Sequence, residues 1–595
     1  MSTQPAPLPA PRPRGRIRGA ARPGRRPTLA VLAAASLALA SCAQVPTSSP
    51  VGTSPPLAGA EQDQEVPLYV PAGPVQDAGA SEIIRGFLAA GVGPQDDYGI
   101  ARQYLTGDAS KDWDPYRRTV VYSSQPTVTR VDDEGTYLVQ VEIDSWVDQN
   151  GIRTPVPSGT TEAWELQVTE VDGQRRISAA EDGTMLSGSQ FAAIYAPHEL
   201  YFFDPTLTYA VPDVRWFINR GTTAAAMTRA LLAGPAEPLR GAVVTAFPSG
   251  SGAQLGRPTV PVTDGTASVD LTSATVEGMD PDRRERLRQQ VEMTLQGLST
   301  VDSVEVTVDL DPLAVEGEAE QVEPVEVNPS KGTVQVGVDP ANQTLAFFQG
   351  LSVTPVGGLR NVSSLNPVEP AVNRARTDFA FLTADRTQLY RADTEGRLDQ
   401  IVAGISLTRP SIDGLDWAWT VDSGNSSSIT AVPLDGDTDG TARQVSTPWL
   451  RAGETVRALQ VGPTGTRAAM LIESEEGMSL KVAGVVRGAD GVPSFLTEPR
   501  TFETSVPMRD LFWVDEVTLV VTDYADDAEE KVEPQVISLD GSRRTLNALA
   551  GLIGLSAGDS QSFYAETENG VYLLLGSSWR SQELARPIRD LSFPG

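Results

Sequence analysis

Cysteine and histidine each occur once in the 595 residues, as Cys42 and His198. One thiol cannot close an internal disulfide, and one Cys with one His is too few for a zinc site. A serine nucleophile would need His198 as its base. That residue lies between Pro197 and Glu199 at an expected domain junction, and it reads as an interdomain or surface side chain. The chain holds 77 acidic and 47 basic side chains, a formal charge of −30. Such a surface argues against a nucleic-acid partner, because phosphates are held by cations that displace their counterions. Paired carboxylates can cleave glycosides, but among so many acids no pair stands out. No catalytic, cofactor or metal residue is singled out, and the chain is expected not to be an enzyme.

The remaining chemistry lies at Cys42. Residues 1–28 are rich in Pro and Arg and hold no acid; Arg12, Arg14, Arg16, Arg18, Arg22, Arg25 and Arg26 carry the charge. The run Leu29 to Ser41 is apolar but only 13 residues long, whereas a spanning helix needs about 20. Positive flank, short apolar core and small residues are the layout of a secretory signal peptide, here residues 1–41. Arg25-Arg26 hints at twin-arginine export, but Pro27-Thr28 departs from that pattern and favours the general secretory route. The run ends Leu39-Ala40-Ser41-Cys42, which resembles the bacterial lipobox. The resemblance implies an N-palmitoyl, S-diacylglycerol cysteine at Cys42 after cleavage before it. Small side chains open the backbone to a peptidase, and a thiol is readily alkylated. Several acyl chains, at about 0.8 kcal/mol per buried methylene, hold firmly where one is marginal. The expected place is the extracytoplasmic face of the cell membrane, with residues 42–74, rich in Pro, Ser, Thr, Gly and Gln, as a tether.

Three folded regions are expected beyond the tether. In residues 75–190, Ser81 can cap a helix carrying Ile83, Ile84, Phe87 and Leu88, and a second helical stretch holds Tyr98, Ala101, Tyr104 and Leu105. The runs Thr119–Tyr122, Thr136–Trp146 and Thr161–Val171 then alternate roughly, with Leu138, Val141 and Ile143 as candidate core. Helices ahead of a curved antiparallel sheet resemble the cone-shaped α+β fold of nuclear-transport-factor-like domains. In residues 198–316, Thr222 or Thr223 can cap a helix with Met227, Leu231 and Leu232, ended by Gly234-Pro235. Asp280-Pro281 opens another, with Leu287, Val291, Leu295 and Leu298 along one face. This region resembles the GerMN domain of spore-germination lipoproteins, which brings no catalytic role. Residues 317–335, with Glu318, Glu320, Glu323 and Glu326, read as an acidic linker. Residues 336–595 are short strand-like runs separated by turns; about 40–45 residues per blade gives about six propeller blades. The expected fold class is therefore multidomain, two α+β domains followed by an all-β propeller.

Two motifs in the third region carry weaker signals. Asp435-Gly436-Asp437-Thr438-Asp439-Gly440 matches half of a calcium-binding EF-hand loop, but its position 12 is Ser446, where a bidentate Glu is needed. It reads as an acidic loop between strands. Ser411 to Trp417 is close to the Asp-box of sialidase-like propellers, with Gly414 and Trp417 each displaced by one residue. Trp417 and Trp419 read as blade core.

Lipobox, tether, cone domain, GerMN-like domain, acidic linker and propeller, in that order, resemble the actinobacterial LpqB lipoprotein family. The resemblance implies an accessory protein of the MtrA–MtrB two-component system. It would bind the extracytoplasmic part of the sensor histidine kinase MtrB, with effects on cell envelope and division. An envelope glycan-binding or glycan-processing propeller protein is the alternative.

Overall fold

The structure is a computed structural model that describes residues 70–248, 252–314, 322–425, 427–434, 441–559 and 562–595. Apolar residues at helical spacing give the helix Ala80–Ala90, which buries Ile83, Ile84, Phe87 and Leu88. Its N-cap is Gly79, and Ser81 lies one residue inside, because Gly79 already holds the extended backbone an N-cap requires. The second stretch is helical only over Gly99–Arg102, since Tyr98 sits left-handed at φ 58° and breaks any longer run. The helices pack on a seven-stranded sheet centred on the strand Thr136–Asp148, with Arg118–Tyr122 and Thr161–Val171 among its neighbours. Along that strand Val139, Val141, Ile143, Ser145 and Val147 are buried and the residues between them are more exposed. Leu138 therefore falls on the other face, one step out of phase with Val141.

The second domain opens with a hairpin, Tyr195–Phe203 against Tyr209–Ile218, in unbroken register. Asp204 closes its turn: its carboxylate accepts from Thr206 N, Thr208 N and Tyr209 N at 2.8, 2.7 and 2.6 Å. The helix Thr223–Ala233 stops at Gly234, whose φ of 92° a side-chain-bearing residue rarely adopts. The helix Pro281–Leu295 is capped as its sequence predicts, Asp280 accepting from Arg283 N at 2.8 Å. Leu287, Val291 and Leu295 join Phe202, Met227 and Leu231 in one core. The segment expected as a linker is partly fixed. Glu326–Val327 pairs as a parallel strand with Tyr209–Ala210, and Arg374 of the propeller grips Glu326 with two hydrogen bonds of 3.0 and 2.5 Å. Residues 315–321 lie outside the described ones.

Six sheets of four or five strands then form the propeller. Its ring is closed by the strand Arg589–Ser592, which pairs with Gln335–Asp339 of the first blade. This closing strand lies at the inner edge of that blade, against Pro367–Val372 and Gly554–Ala557 of the blades on either side. The fold is thus two α+β domains followed by a six-bladed propeller. No helix among the described residues is long and apolar enough to cross a membrane.

Candidate functional site

Cys42 with Leu39, Ala40 and Ser41, and the loop Asp435–Gly440, lie outside the described residues. Ser446 is in place, and its backbone bonds Ser494 O and Leu496 N at 3.1 and 2.9 Å. Among the described residues no group of three His, Cys, Asp or Glu could hold a metal ion.

His198 is buried on the hairpin strand Tyr195–Phe203, opposite Arg215. It is not a surface side chain. Its Nε2 makes no hydrogen bond, and the ring lies 6.3 Å from that of Phe217. Burial pushes its pKa down to about 4, so the ring is neutral at pH 7. The unfolded chain takes up a proton below its ordinary pKa of 6.5, and the folded chain does so only near 4. The stability from His198 is therefore complete above that ordinary value and lost as pH falls between the two. The loss is expected to reach at most about 3 kcal/mol, and His198→Phe should flatten that part of a pH–stability curve followed by urea unfolding.

Asp413, in the segment that is close to an Asp-box, organises two blades. Its Oδ1 accepts from Leu415 N and Trp417 N at 2.9 and 3.2 Å, and its Oδ2 from Trp419 Nε1 at 2.7 Å. Oδ2 also receives Nη2 of Arg487 from the next blade, both side chains being fully buried. Arg487 spends its other donors on Gly465 O and Gly491 O and lies 5.3 Å from the Trp419 ring. Trp417 and Trp419 are buried in the blade core.

Inner strands of all six blades surround an axial channel, and charged groups of the chain itself lie in it. At one mouth Lys331 donates to Trp513 O and Ala557 O, in a cavity of about 30 Å³ also walled by Ile412, Val461, Phe512 and Phe593. Burial brings Lys331 down to about 8, against the pull of Asp515, Glu516 and Asp559. Within the channel lies Arg409. Its Nε is 3.3 Å from Asp510 Oδ2, its Nη2 is 3.6 Å from Glu369 Oε1, and its guanidinium lies 5.3 Å from the Phe512 ring. Burial works against its charge, but Glu369 and Asp510 hold its pKa above the ordinary value. Asp510 accepts from Tyr524 Oη and Leu511 N at 2.7 and 2.9 Å, and burial pushes it up. Glu566, of the sixth blade, accepts from Asp590 N and Leu591 N at 2.8 and 2.6 Å and so holds the closing strand. Burial, then the Asp590 carboxylate, raise it to about 7. Arg409 thus links the second, third and fifth blades through charge pairing, while Glu566 ties the sixth blade to the closing strand through backbone donors.

A second assembly lies where all three domains meet, at Trp216. Its backbone N donates to Gly151 O at 2.7 Å, its ring packs 5.0 Å from Phe191, and Arg153 lies over it at 5.2 Å, all from the first domain. Its Nε1 donates to Asp540 O of the propeller at 3.1 Å. Gly151 has φ 79°, and a Cβ there would come within 2.8 Å of Trp216 O, so this approach requires glycine. Beside it Arg215 is buried against Asp213 at 2.7 Å and donates to Asn150 O at 3.0 Å. Tyr209 Oη bonds Gly414 O and Arg374 Nη1, at 2.8 and 3.0 Å, on the propeller side. Sequence reading found Asp413 only as part of a displaced motif and found neither Trp216 nor Arg409. Their partners lie tens to hundreds of residues away, and no local pattern marks them.

Three family models match the chain in the order of its domains. Residues 73–192 match the LpqB N-terminal domain, residues 199–313 a domain described as sporulation and spore germination, and residues 343–590 the LpqB β-propeller domain. Lipoprotein LpqB of Cutibacterium acnes is 26% identical over 609 residues, covering 95% of this chain and 98% of the relative. That of Mycolicibacterium smegmatis is 26% identical over 603 residues, with the same 95% and 98% covered. That of Thermobifida fusca is 26% identical over 569 residues, covering 86% and 89%. With both LpqB domains in place, the spore-germination domain between them, and relatives of that name aligned along nearly its whole length, the chain belongs to the LpqB lipoprotein family.

Proposed function

We propose that this lipoprotein is a docking protein, held by acyl chains on Cys42 at the extracytoplasmic face of the cell membrane. There it binds the extracytoplasmic part of an MtrB-type sensor histidine kinase and modulates signalling to an MtrA-type regulator, with effects on cell envelope and division. The observation that carries this reading is the junction at Trp216, which ties three domains together so that a partner meets fixed faces. Binding is favoured over turnover because Arg409 and Lys331, the cations at the propeller axis, are engaged by groups of the chain itself. Tethering near the membrane raises the effective concentration toward a membrane-bound receptor without any new contact. The acidic composition disfavours nucleic acid and anionic headgroups, so the lipid does the anchoring.

Affinity purification of the full chain from detergent-solubilised membranes tests this. A sensor histidine kinase is expected to co-purify. Cys42→Ala is expected to leave the membrane fraction and to lose the kinase. Recovery of no kinase, with unaltered signalling in a deletion strain, would contradict the proposal.

A further inference from the structure

Between the second domain and the fourth and fifth blades lies a cavity of about 60 Å³, bounded by Asp213, Leu239, Arg467, Gly484, Arg500 and Phe502. Two cations face it with donors to spare. Arg467 is only 4% exposed; its Nη2 donates to Pro212 O, while Nη1, 3.8 Å from Glu516 Oε2, makes no hydrogen bond. Arg500 donates from Nη1 to Leu539 O at 2.9 Å and lies 4.7 Å from the Phe502 ring, but its Nε has no partner. The carboxylate on the wall is already engaged, since Asp213 Oδ2 accepts from Arg215 Nη2 and Ala236 N at 2.7 and 2.8 Å.

Buried polar groups are almost always paired, and a buried cation with unpaired donors is an unusual cost in a folded chain. Burial, and next the charge of Arg153, bring Arg500 down to about 10 although Asp540 and Asp213 pull the other way. Burial likewise lowers Arg467 against the pull of Glu516, Asp213 and Glu199. A negative charge in the cavity would relieve both. The cavity's walls are set by tight docking of the two domains. A Cβ on Gly484 would fall 2.3 Å from Pro238 O, and Thr497 Oγ1 donates to that same carbonyl at 2.6 Å.

We propose that this cavity binds a small inorganic oxyanion of phosphate or sulfate size, held by Arg467 and Arg500 at the joint between the second domain and the propeller. Guanidinium N–H groups suit such an oxyanion because several donors meet several acceptor oxygens at once. An occupant touching both domains stabilises their docking by mass action.

The test uses the full chain in detergent, with sodium phosphate, sodium sulfate and sodium chloride compared at equal ionic strength. Phosphate and sulfate are expected to raise the unfolding midpoint saturably, by roughly 2 °C over chloride. The phosphorus-31 line of phosphate is expected to broaden with protein and to sharpen when sulfate competes. Arg500→Met should abolish both effects. Midpoints that track ionic strength alike in the three salts, with a sharp line for the wild-type protein, would overturn the proposal. Retention of both effects in Arg500→Met would overturn it equally. Should that variant fail to fold, the wild-type line width decides by itself.

Discussion

Replacing Asp413 by alanine is expected to destabilise the propeller by about 3–5 kcal/mol, because it leaves the Arg487 guanidinium buried without its counter-charge. The carboxylate does three things at once: it orders the turn through Leu415 N and Trp417 N, fixes the Trp419 indole, and neutralises a cation from the next blade. Differential scanning calorimetry should show the propeller transition lowered by roughly 10 °C. The double variant Asp413→Ala, Arg487→Met should recover part of the loss, since a well-packed apolar pair often replaces a buried ion pair at little cost. A single variant within about 1 kcal/mol of wild type would mean that water reaches this pair and that the two blades are not joined through it.

Trp216→Ala is the second large effect. It removes a ring packed against Phe191 and Arg153 and a hydrogen bond to Asp540 O. Because the side chain is partly exposed, the expected cost is about 2–3 kcal/mol, below the figure for a fully buried tryptophan. The more telling readout is coupling. With the junction weakened, limited proteolysis should release the first domain from the rest, and calorimetry should resolve a separate early transition for it. Trp216→Phe, which keeps an aromatic ring against Phe191 and loses the indole N–H with part of the ring area, should sit between wild type and alanine. If alanine left the domains co-unfolding as before, the rigidity on which the docking proposal depends would have to come from elsewhere.

What the sequence made legible was local. Asp280-Pro281 announces a helix start because an N-cap acceptor and a proline at the first helical position are chemistry between near neighbours, and the structure places both there. Gly234 ends its helix for the same kind of reason. The propeller is legible from turn spacing alone, since each blade is a local meander. Ser81 looks like a cap, but a glycine two residues earlier is equally able to hold the extended backbone. Leu138 and Val141 are an odd number of residues apart and cannot share one face of a strand. Arg409, Glu369 and Asp510 come from different blades and meet only because the ring closes through Arg589–Ser592, the strand that Glu566 holds. No periodicity in any one of those segments could place them together, and the same holds for Trp216 and Asp540.

The central claim, a membrane-held body that docks on a sensor kinase, is tested most directly by crosslinking in living cells. Photo-reactive groups would be placed on exposed positions of the full-length, lipidated chain, and the captured proteins identified by mass spectrometry. Repeated capture of one sensor histidine kinase from positions on one continuous face is expected, and its loss in Trp216→Ala. Crosslinks confined to glycan or to abundant envelope proteins, with no kinase among them, would contradict it.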